Sequence, residues 1–317
     1  MVDCIGGLLN KTIATSTKRV YKRAWVLFAL AMQQLKIPFM GSKSLPVSTN
    51  KVITFIGFLN CNNLSSSTVL SYVSAIGFVH RFKGLTDPTS TTVVHKLLAA
   101  ANKFKPKMDS RLPITLIILH NLVQSLRHTV SNPYTRTLFH AMYVVAFFGL
   151  MRIGEITQSK DGVVALYLDQ LQVFQNYIII TISHFKHNVS LRPIQLVLPS
   201  QSDPVICPVQ AIKSYLSVRG FEPGPLFTFV DGAPIKRDFF TKGLKDSLNF
   251  CGLDTKYFKS HSFRIGAASY YASLGLTDAQ LRLIGRWNSD AFLKYIRCQR
   301  VLLAVQNHTH HLSINTP

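Results

Sequence analysis

Two short motifs pair an arginine with a residue three positions away, a spacing that puts both side chains on one face of a helix. In Gly-Leu-Met-Arg-Ile-Gly-Glu, residues 149–155, the pair is Arg152 and Glu155; further along the chain it is His261 and Arg264. A guanidinium held by a carboxylate can bind a phosphate through two parallel hydrogen bonds. Each pair also has a simpler explanation: a structural ion pair for the first and a chance spacing for the second.

An aromatic pair and a lysine add three groups that could act on a bound phosphate. Trp287 precedes Tyr295 by eight residues, and Lys186 lies at the predicted tip between two strands. A phenol that loses its proton is a nucleophile, an indole N–H can donate to a phosphate oxygen, and a lysine can protonate a leaving oxygen. Considered singly, the two aromatic residues are more typical of a core and the lysine of a solvated turn.

Small residues follow Arg264 on its predicted helix. The segment 265–269, Ile-Gly-Ala-Ala-Ser, leaves room for a neighbouring backbone to approach closely. We therefore expect this helix to be buried and to support whatever site His261 and Arg264 form.

The overall charge favours a polyanionic partner. The 317 residues include 35 Lys and Arg against 14 Asp and Glu, a net charge of +21. Such an excess attracts nucleic acid or an anionic membrane, although a solvated basic surface is also consistent with it. The longest apolar run, 138–151, is interrupted by His140 and is shorter than the ~20 residues that a membrane span needs. We expect no membrane partner.

The cysteines and carboxylates give no sign of a metal site. The five cysteines (Cys4, Cys61, Cys207, Cys251 and Cys298) are scattered, odd in number and form no CxxC pair. This pattern is typical of reduced thiols in an intracellular protein. No cluster of carboxylates suits Mg²⁺, and no Walker-type loop suits a nucleotide. We expect no metal and no cofactor, and the N-terminus has no pattern of a signal peptide.

Hydrophobic periodicity predicts four helices in the first part of the chain, at residues 16–36, 48–59, 65–82 and 91–104. Residues 105–113 contain two prolines and mixed charges and little to bury, which is typical of an interdomain linker. The predicted organisation is a helical domain over 1–105, a linker over 106–113 and a second domain with a C-terminal tail over 114–317.

The second domain changes period twice. It opens with predicted helices at 114–129 and 134–157, followed by three β-rich segments at 166–174, 177–186 and 193–198. Short turns between them predict a three-stranded antiparallel meander. Helices are then predicted at 209–219, 236–251, 262–274, 277–284 and 289–305. The expected fold class is mainly α with one small antiparallel sheet (α+β).

The ordered set of six candidate residues resembles the tyrosine recombinase (phage integrase) superfamily. These residues are Arg152, Lys186, His261, Arg264, Trp287 and Tyr295. The resemblance is strong over 114–306, whereas 1–105 matches only as a helical bundle similar to the family's core-binding domain. The segment 285–297 is most similar to recombinases of eukaryotic mobile elements, the Crypton and DIRS-type group. Many bacterial and phage members instead have a histidine nine residues before the tyrosine.

The resemblance implies DNA strand cleavage and rejoining through a 3′-phosphotyrosyl intermediate. Tyr295 would attack phosphorus, while Arg152 and Arg264 hold the non-bridging oxygens. Lys186 would protonate the leaving 5′-oxygen. His261 would assist loss of the phenol proton or donate to the phosphate, and Trp287 would donate its indole N–H. Glu155 would orient Arg152 or His261.

The partners implied are double-stranded DNA and further copies of the chain. The predicted DNA contacts are Lys18, Arg19, Lys22 and Arg23 in the first helix, and Arg286. The resemblance implies four protomers on DNA; the apolar stretch 301–305 would dock on a neighbour, or else fold back on its own domain. The implied location is the nucleus in a eukaryotic host, and otherwise the cytoplasm or nucleoid.

Three alternatives stay open at this stage. One is a DNA-binding protein that keeps the fold without turnover, and another is a type IB topoisomerase-like nicking and closing enzyme. The third concerns the nucleophile. Among the eleven tyrosines the strongest rival to Tyr295 is Tyr257, which precedes His261 in a polar segment.

Overall fold

The chain divides between Asp109 and Ser110 into two compact units, each with its own hydrophobic core. A computed structural model describes residues 13–104, 109–159, 161–164, 166–183 and 192–296. This part of the chain is mostly helical and contains one three-stranded antiparallel sheet, which is the predicted fold class. No helix in the described ranges is long and apolar enough to cross a membrane.

The N-terminal unit is built from four α-helices. They are α1 (Thr15–Gln34), α2 (Thr49–Cys61), α3 (Ser66–Phe82) and α4 (Thr92–Phe104). Serines begin two of them: the side chain of Ser48 accepts from the backbone N–H of Lys51, and that of Ser65 accepts from the backbone N–H of Thr68. These caps satisfy N–H groups that a helix start leaves without a partner.

Aromatic residues dominate the core of this unit. Phe28 of α1 and Phe55 of α2 are fully buried, with ring centroids 5.0 Å apart in an edge-to-face arrangement. His80 of α3 is also fully buried. Its Nε2 accepts from the backbone N–H of Val47 at 2.8 Å, and its Nδ1 lies 2.8 Å from the carbonyl oxygen of Ile76. Both ring nitrogens are therefore satisfied, as burial requires.

The second unit is arranged around one central helix. Its helices are α5 (Leu116–Thr129), α6 (Pro133–Phe148), α7 (Ile153–Ile156), α8 (Pro208–Arg219), α9 (Arg237–Phe250), α10 (Ser260–Ser273) and α11 (Asp278–Gly285). Every residue from 141 to 151 is buried, and α6 packs against α5, α8 and α10. The longest apolar run of the sequence is therefore a core helix.

Three short strands form an antiparallel meander in the order β1-β2-β3, as predicted. They are β1 (Leu171–Val173), β2 (Tyr177–Ile182) and β3 (Ile194–Pro199). Alternate residues Ile178, Ile180 and Ile182 are buried, and both β2 and β3 pack against α8. The first strand begins later than predicted because Leu168–Gln170 forms a 3-10 turn. Residues 184–191, which include Lys186 and the predicted turn after it, lie outside the described residues.

Two predicted helices are wrong in ways that matter for the site. The helix predicted over 134–157 is interrupted: α6 ends at Phe148, Leu150 adopts a left-handed φ of 44°, and α7 begins at Ile153. The helix predicted over 289–305 is a 3-10 helix, Asp290–Lys294, in its described part, and Tyr295 follows it in a turn. Burial of Phe292 holds this short turn against the core. Residues 297–305 lie outside the described residues.

Candidate active site

The break after α6 places Arg152 at the start of α7. Its backbone N–H donates to Oε2 of Glu155 at 2.9 Å, and its Nη1 donates to Oε1 of Glu155 at 2.9 Å. Each carboxylate oxygen thus accepts a hydrogen bond from the same residue. Because the Arg152 side chain remains 23% exposed, its guanidinium is oriented by Glu155 and still open to a ligand. The predicted pairing at i, i+3 is present.

Glu155 lies between two arginines. Its side chain is 5% exposed, and Oε2 also accepts from Nη2 of Arg286 at 2.7 Å. Burial alone raises the pKa of this carboxyl, but the charges of Arg286 and Arg152, together with the hydrogen bonds from Arg152, outweigh burial and lower the pKa below its ordinary value. Glu155 is therefore ionised at neutral pH and can fix both guanidiniums.

Arg286 was predicted to contact DNA; it lies in the wall of the same cavity as Arg152, and the DNA contact stays a prediction. Its side chain is fully buried, and it donates to the carbonyl oxygens of Gly149 at 3.2 Å and Leu150 at 2.9 Å. Burial lowers the pKa of Arg286, while the charge of Glu155 opposes the change. Its backbone is left-handed, with φ 56°, just after α11. Arg286 therefore ties the segment before Trp287 to the turn that carries Arg152.

Arg264, on α10, is bonded both to the turn before Arg152 and to the end of α11. It is fully buried, and its Nη1 and Nη2 donate to the carbonyl oxygens of Leu150 and Gly285. Its guanidinium carbon lies 4.2 Å from the centroid of the Trp287 ring. Burial, followed by the charges of Arg152 and Arg286, lowers the pKa of Arg264. A bound anion would offset the repulsion between these positive charges, and the guanidinium has further N–H groups to donate.

Three aromatic rings meet beside the guanidiniums. The Tyr295 ring centroid is 5.1 Å from that of His261 and 5.5 Å from that of Trp287, on which it stacks at an interplanar angle of 25°. The carbonyl oxygen of Tyr295 accepts from the hydroxyl of Ser269 at 2.9 Å. Gly285 makes room for the indole, because a Cβ at this position would lie 1.7 Å from Cζ3 of Trp287. His261 and Tyr295, 34 positions apart in sequence, are neighbours.

Five of the six candidate residues line one cavity of about 610 Å³, and the sixth, Lys186, lies outside the described residues. The walls of this cavity, called the phosphate cavity below, are Arg111, Arg152, Ile153, Arg237, Ser260, His261, Arg264, Arg286, Trp287, Asn288, Ser289 and Tyr295. The start of α10 also faces it, which directs the positive end of a helix dipole toward the cavity. The arrangement suits a bound phosphate with a phenol beside it.

Sequence reasoning missed Arg111 and Arg237. Neither arginine forms a recognisable motif with a charged residue three or four positions away. The sequence therefore gave no signal for either of them. Arg111 reaches the cavity because its neighbours are bound to the second unit: the backbone N–H groups of Leu112 and Ile114 donate to the carbonyl oxygens of Tyr257 and Ser262, at 2.9 and 3.0 Å. The end of the segment predicted as a linker therefore packs on the second unit.

The small residues of α10 pack as predicted. A Cβ on Gly266 would lie 1.7 Å from the carbonyl oxygen of Ile114, so only glycine fits against this backbone. Residues 262–268 are all buried. This contact holds α10, and with it His261 and Arg264, against the segment that carries Arg111.

Other tyrosines are engaged elsewhere. Tyr257, the predicted rival nucleophile, does not line the phosphate cavity. The hydroxyl of Tyr271 donates to the carbonyl oxygen of Phe148 at 2.8 Å, and Tyr270 packs against the rings of Phe147 and Phe148. Only Tyr295 among the described tyrosines lies in the cavity wall.

The remaining candidates lie far from this cavity in sequence. Lys18, Arg19, Lys22 and Arg23 are on α1 of the N-terminal unit; Lys18 is half-buried and the other three are exposed. Cys61, Cys207 and Cys251 are free thiols, while Cys4 and Cys298 lie outside the described residues. Within the described ranges, no cluster of His, Cys, Asp and Glu could hold a metal ion.

Comparison with known proteins identifies relatives of one kind, although no family model matches the chain. The "Integrase/recombinase xerD homolog" of Selenomonas ruminantium is 24% identical over 274 residues, which cover 82% of this chain and 75% of the relative. Among solved structures, XerH site-specific recombinase in a post-cleavage complex with its difH substrate has a TM-score of 0.64 at 15% identity, covering 90% of this chain and 79% of that one.

Two further structures share the fold over nearly the full length. The Tn1549 transposon integrase in complex with circular intermediate DNA has a TM-score of 0.61 at 16% identity, covering 94% of each chain. A lambda integrase dimer bound to a COC′ core site has a TM-score of 0.58 at 13% identity, covering 93% of this chain and 94% of that one. The chain therefore shares the fold of these recombinase and integrase structures, and it is similar in sequence to a relative named as an integrase/recombinase.

Proposed function

We propose that this protein cleaves and rejoins DNA through a covalent 3′-phosphotyrosyl intermediate, with Tyr295 as the nucleophile. The observation that carries the proposal is one cavity in which Tyr295 lies beside His261 and two fixed guanidiniums, Arg152 and Arg264. The xerD-like relative is named as an integrase/recombinase, which agrees with this chemistry.

The proposed reaction is a transesterification. The Tyr295 oxygen forms a bond to phosphorus, the bond from phosphorus to the 5′-oxygen breaks, and the phenol proton is lost. The 5′-oxygen takes up a proton as it leaves. Rejoining reverses these steps with a 5′-hydroxyl as the nucleophile, so the phosphodiester bond energy is kept and no nucleotide is consumed.

Fixed positive charge is the contribution of the arginines. Negative charge that develops on the non-bridging oxygens is stabilised by donors that are already in position. Arg152 is held by Glu155, and Arg264 by two carbonyl oxygens. Neither guanidinium has to reorganise when the phosphate binds, which is the condition for a large electrostatic effect.

His261 and Trp287 flank the nucleophile. The Tyr295 ring packs between these two side chains, so His261 is close enough to receive the phenol proton or to donate to the phosphate. Trp287 stacks on both Tyr295 and Arg264 and so sets the distance between nucleophile and guanidinium. We assign the indole N–H to the phosphate as well.

Lys186 is proposed as the acid that protonates the 5′-oxygen. A substrate in which sulfur replaces that oxygen needs no acid, because a thiolate leaves without a proton. Lys186→Ala should therefore be slow on ordinary DNA and restored on the sulfur-substituted duplex. Equal impairment on both substrates would remove Lys186 from this role.

The proposed partners are double-stranded DNA and further copies of the chain. The solved relatives include a lambda integrase dimer on a core site and a tetramer on a Holliday junction. We infer that four protomers act together on two duplexes, with the N-terminal unit gripping DNA through α1. We also infer a eukaryotic mobile-element origin of the Crypton or DIRS type and a nuclear location; in a bacterial host the location would be the cytoplasm or nucleoid.

A nicked suicide duplex tests the function. Loss of a short 5′-hydroxyl fragment after cleavage prevents rejoining, so a recombinase accumulates as a covalent protein–DNA adduct. Adduct formation followed by strand exchange between two duplexes is expected. Adduct with relaxation of supercoiled DNA but no exchange would identify a nicking and closing enzyme. Tight binding without any adduct would identify a DNA-binding protein that has lost turnover.

A further inference from the structure

A second cavity of about 530 Å³ adjoins the phosphate cavity. Its walls are Arg111, Arg237, Asp238, Thr241, Leu244, Lys245, Leu248, Thr255, Phe258, Lys259, Ser260 and His261. Four of these residues, Arg111, Arg237, Ser260 and His261, also line the phosphate cavity. The two cavities are therefore adjacent, and two arginines, Arg111 and Arg237, lie where they meet.

Basic and hydroxyl side chains dominate the polar wall of the second cavity. Arg237, Thr241 and Lys245 are spaced by four residues on α9 and so form one row along its face, ~12 Å long at 1.5 Å per residue. All three are exposed. The opposite wall adds Lys259 and Ser260 from the start of α10.

Arg237 occupies an unfavourable place for a purely structural cation. It is the first residue of α9, where the helix dipole disfavours positive charge, and it follows Lys236 directly. One carboxylate, that of Asp238, faces four basic side chains in the wall of the second cavity. A bound anion would offset both the dipole and this excess of positive charge.

We propose that the second cavity binds the phosphate next to the scissile one on the cleaved DNA strand, with Arg237 and Lys245 as its main donors. The inference rests on the proposed function, because it takes the scissile phosphate to lie in the first cavity. A strand held there continues on both sides of the scissile phosphate, and the junction lined by Arg111 and Arg237 gives one neighbouring phosphate access to the second cavity. Phosphate contacts of this kind set the register of a strand without reading its sequence.

The test combines protein and DNA substitutions. Arg237→Gln and Lys245→Gln are compared with Lys242→Gln, a matched control on the same helix whose exposed side chain lines neither cavity. Each variant is measured on duplexes in which single phosphates around the cleavage site are replaced by uncharged methylphosphonate. Binding is the first readout and adduct formation the second.

Arg237→Gln is expected to weaken binding about tenfold and to lower the log–log salt slope by about 0.9, whereas Lys242→Gln stays near wild type. At one position beside the scissile phosphate, methylphosphonate should weaken wild-type binding but weaken Arg237→Gln no further. Such non-additivity shows that residue and phosphate form one contact.

The proposal is overturned if Arg237→Gln and Lys245→Gln match the control, or if their effects multiply with those of every methylphosphonate. Binding does not require cleavage, so the outcome separates this proposal from the catalytic one. A wild-type protein that forms no adduct counts against the role of Tyr295, while the binding data still decide the second cavity. Because Arg237 is exposed, its substitution should leave thermal unfolding unchanged.

Discussion

The two units of this protein differ in whether they bury charged side chains. Among the described residues of the N-terminal unit, the buried polar side chains are Ser66 and His80, and its arginines and lysines are not buried. The second unit buries Glu155, Arg264 and Arg286 within one connected network. Burying an ion is costly unless it is paired and hydrogen-bonded. Buried charges at a cavity wall can be offset by a charged ligand, whereas the described arginines and lysines of the bundle are not buried.

The largest effect on the rate of DNA cleavage is expected from substitution of Arg264, the buried arginine that faces the phosphate cavity. Arg264→Lys keeps the charge but loses the planar fork, so the rate of adduct formation should fall on the order of 10²–10³-fold. Arg152→Lys should lose a similar factor. The measurement is single-turnover cleavage of the suicide duplex.

Arg219→Lys provides the matched control for this prediction. Arg219 also donates to backbone carbonyl oxygens, among them those of Leu226 and Pro225, but it does not line the phosphate cavity. Its substitution should leave the cleavage rate near wild type. Equal rates for Arg264→Lys and wild type would show that the buried arginine is structural, and the contrast between the two units would lose its functional meaning.

The next largest effect is expected on the free energy of unfolding of the second unit when Glu155, the carboxylate of the network, is replaced. Glu155→Gln leaves Arg286 buried without its ion-pair partner and should destabilise the second unit by about 3–5 kcal/mol. The chain has two tryptophans, Trp25 in the first unit and Trp287 in the second. In a Trp25→Phe background, the fluorescence of Trp287 therefore reports unfolding of the second unit alone.

The same carboxylate predicts a pH dependence. The pKa of Glu155 lies below its ordinary value of 4.5, so its contribution to stability is fully present above that value. The contribution is lost as the pH falls through the lower pKa of the folded protein. Urea unfolding of the second unit between about pH 3 and pH 6 should show this loss in wild type and a smaller one in Glu155→Gln. Parallel profiles would mean that Glu155 carries no such linkage.

The fold was largely predictable from the sequence because its helices and strands follow simple periodicities. The four helices of the bundle, the meander and the buried run around α6 match their patterns. The break at Leu150 was missed although Gly149 is a common helix-stop residue, since apolar residues continue to Met151; hydrogen bonds from Arg264 and Arg286 to the Leu150 carbonyl oxygen hold the left-handed turn. The short 3-10 segment before Tyr295 also depends on tertiary structure. Here the packing of the buried Phe292 side chain overrides helix propensity.

The candidate site was predicted in part. The resemblance supplied the catalytic set, but burial of Arg286 had no sequence signal because an arginine between glycine and tryptophan resembles a surface residue. Arg111 and Arg237 were missed because each reaches the cavity through packing of its segment and not through a motif. Spacing identifies pairs on one element, whereas sites assembled from several segments require the fold.

The smallest expected effect concerns the surface of the bundle. Lys22→Gln with Arg23→Gln on α1 should lower the slope of log affinity against log salt by up to about 0.9 per lost phosphate contact. Because both side chains are exposed, stability should change by less than about 0.5 kcal/mol. Lys96→Gln on α4, also exposed, is the control. If the double variant and the control both share the wild-type slope, α1 does not contact DNA.

The central claim is that Tyr295 forms the covalent bond to DNA, and Tyr295→Phe tests it most directly. The substitution removes one oxygen and keeps the ring that packs on His261 and Trp287. DNA binding should remain while the adduct on the nicked suicide duplex disappears, and peptide mapping of the wild-type adduct should identify the segment that contains Tyr295. An adduct that persists in Tyr295→Phe, or that maps to Tyr257, would contradict the assignment and the mechanism built on it.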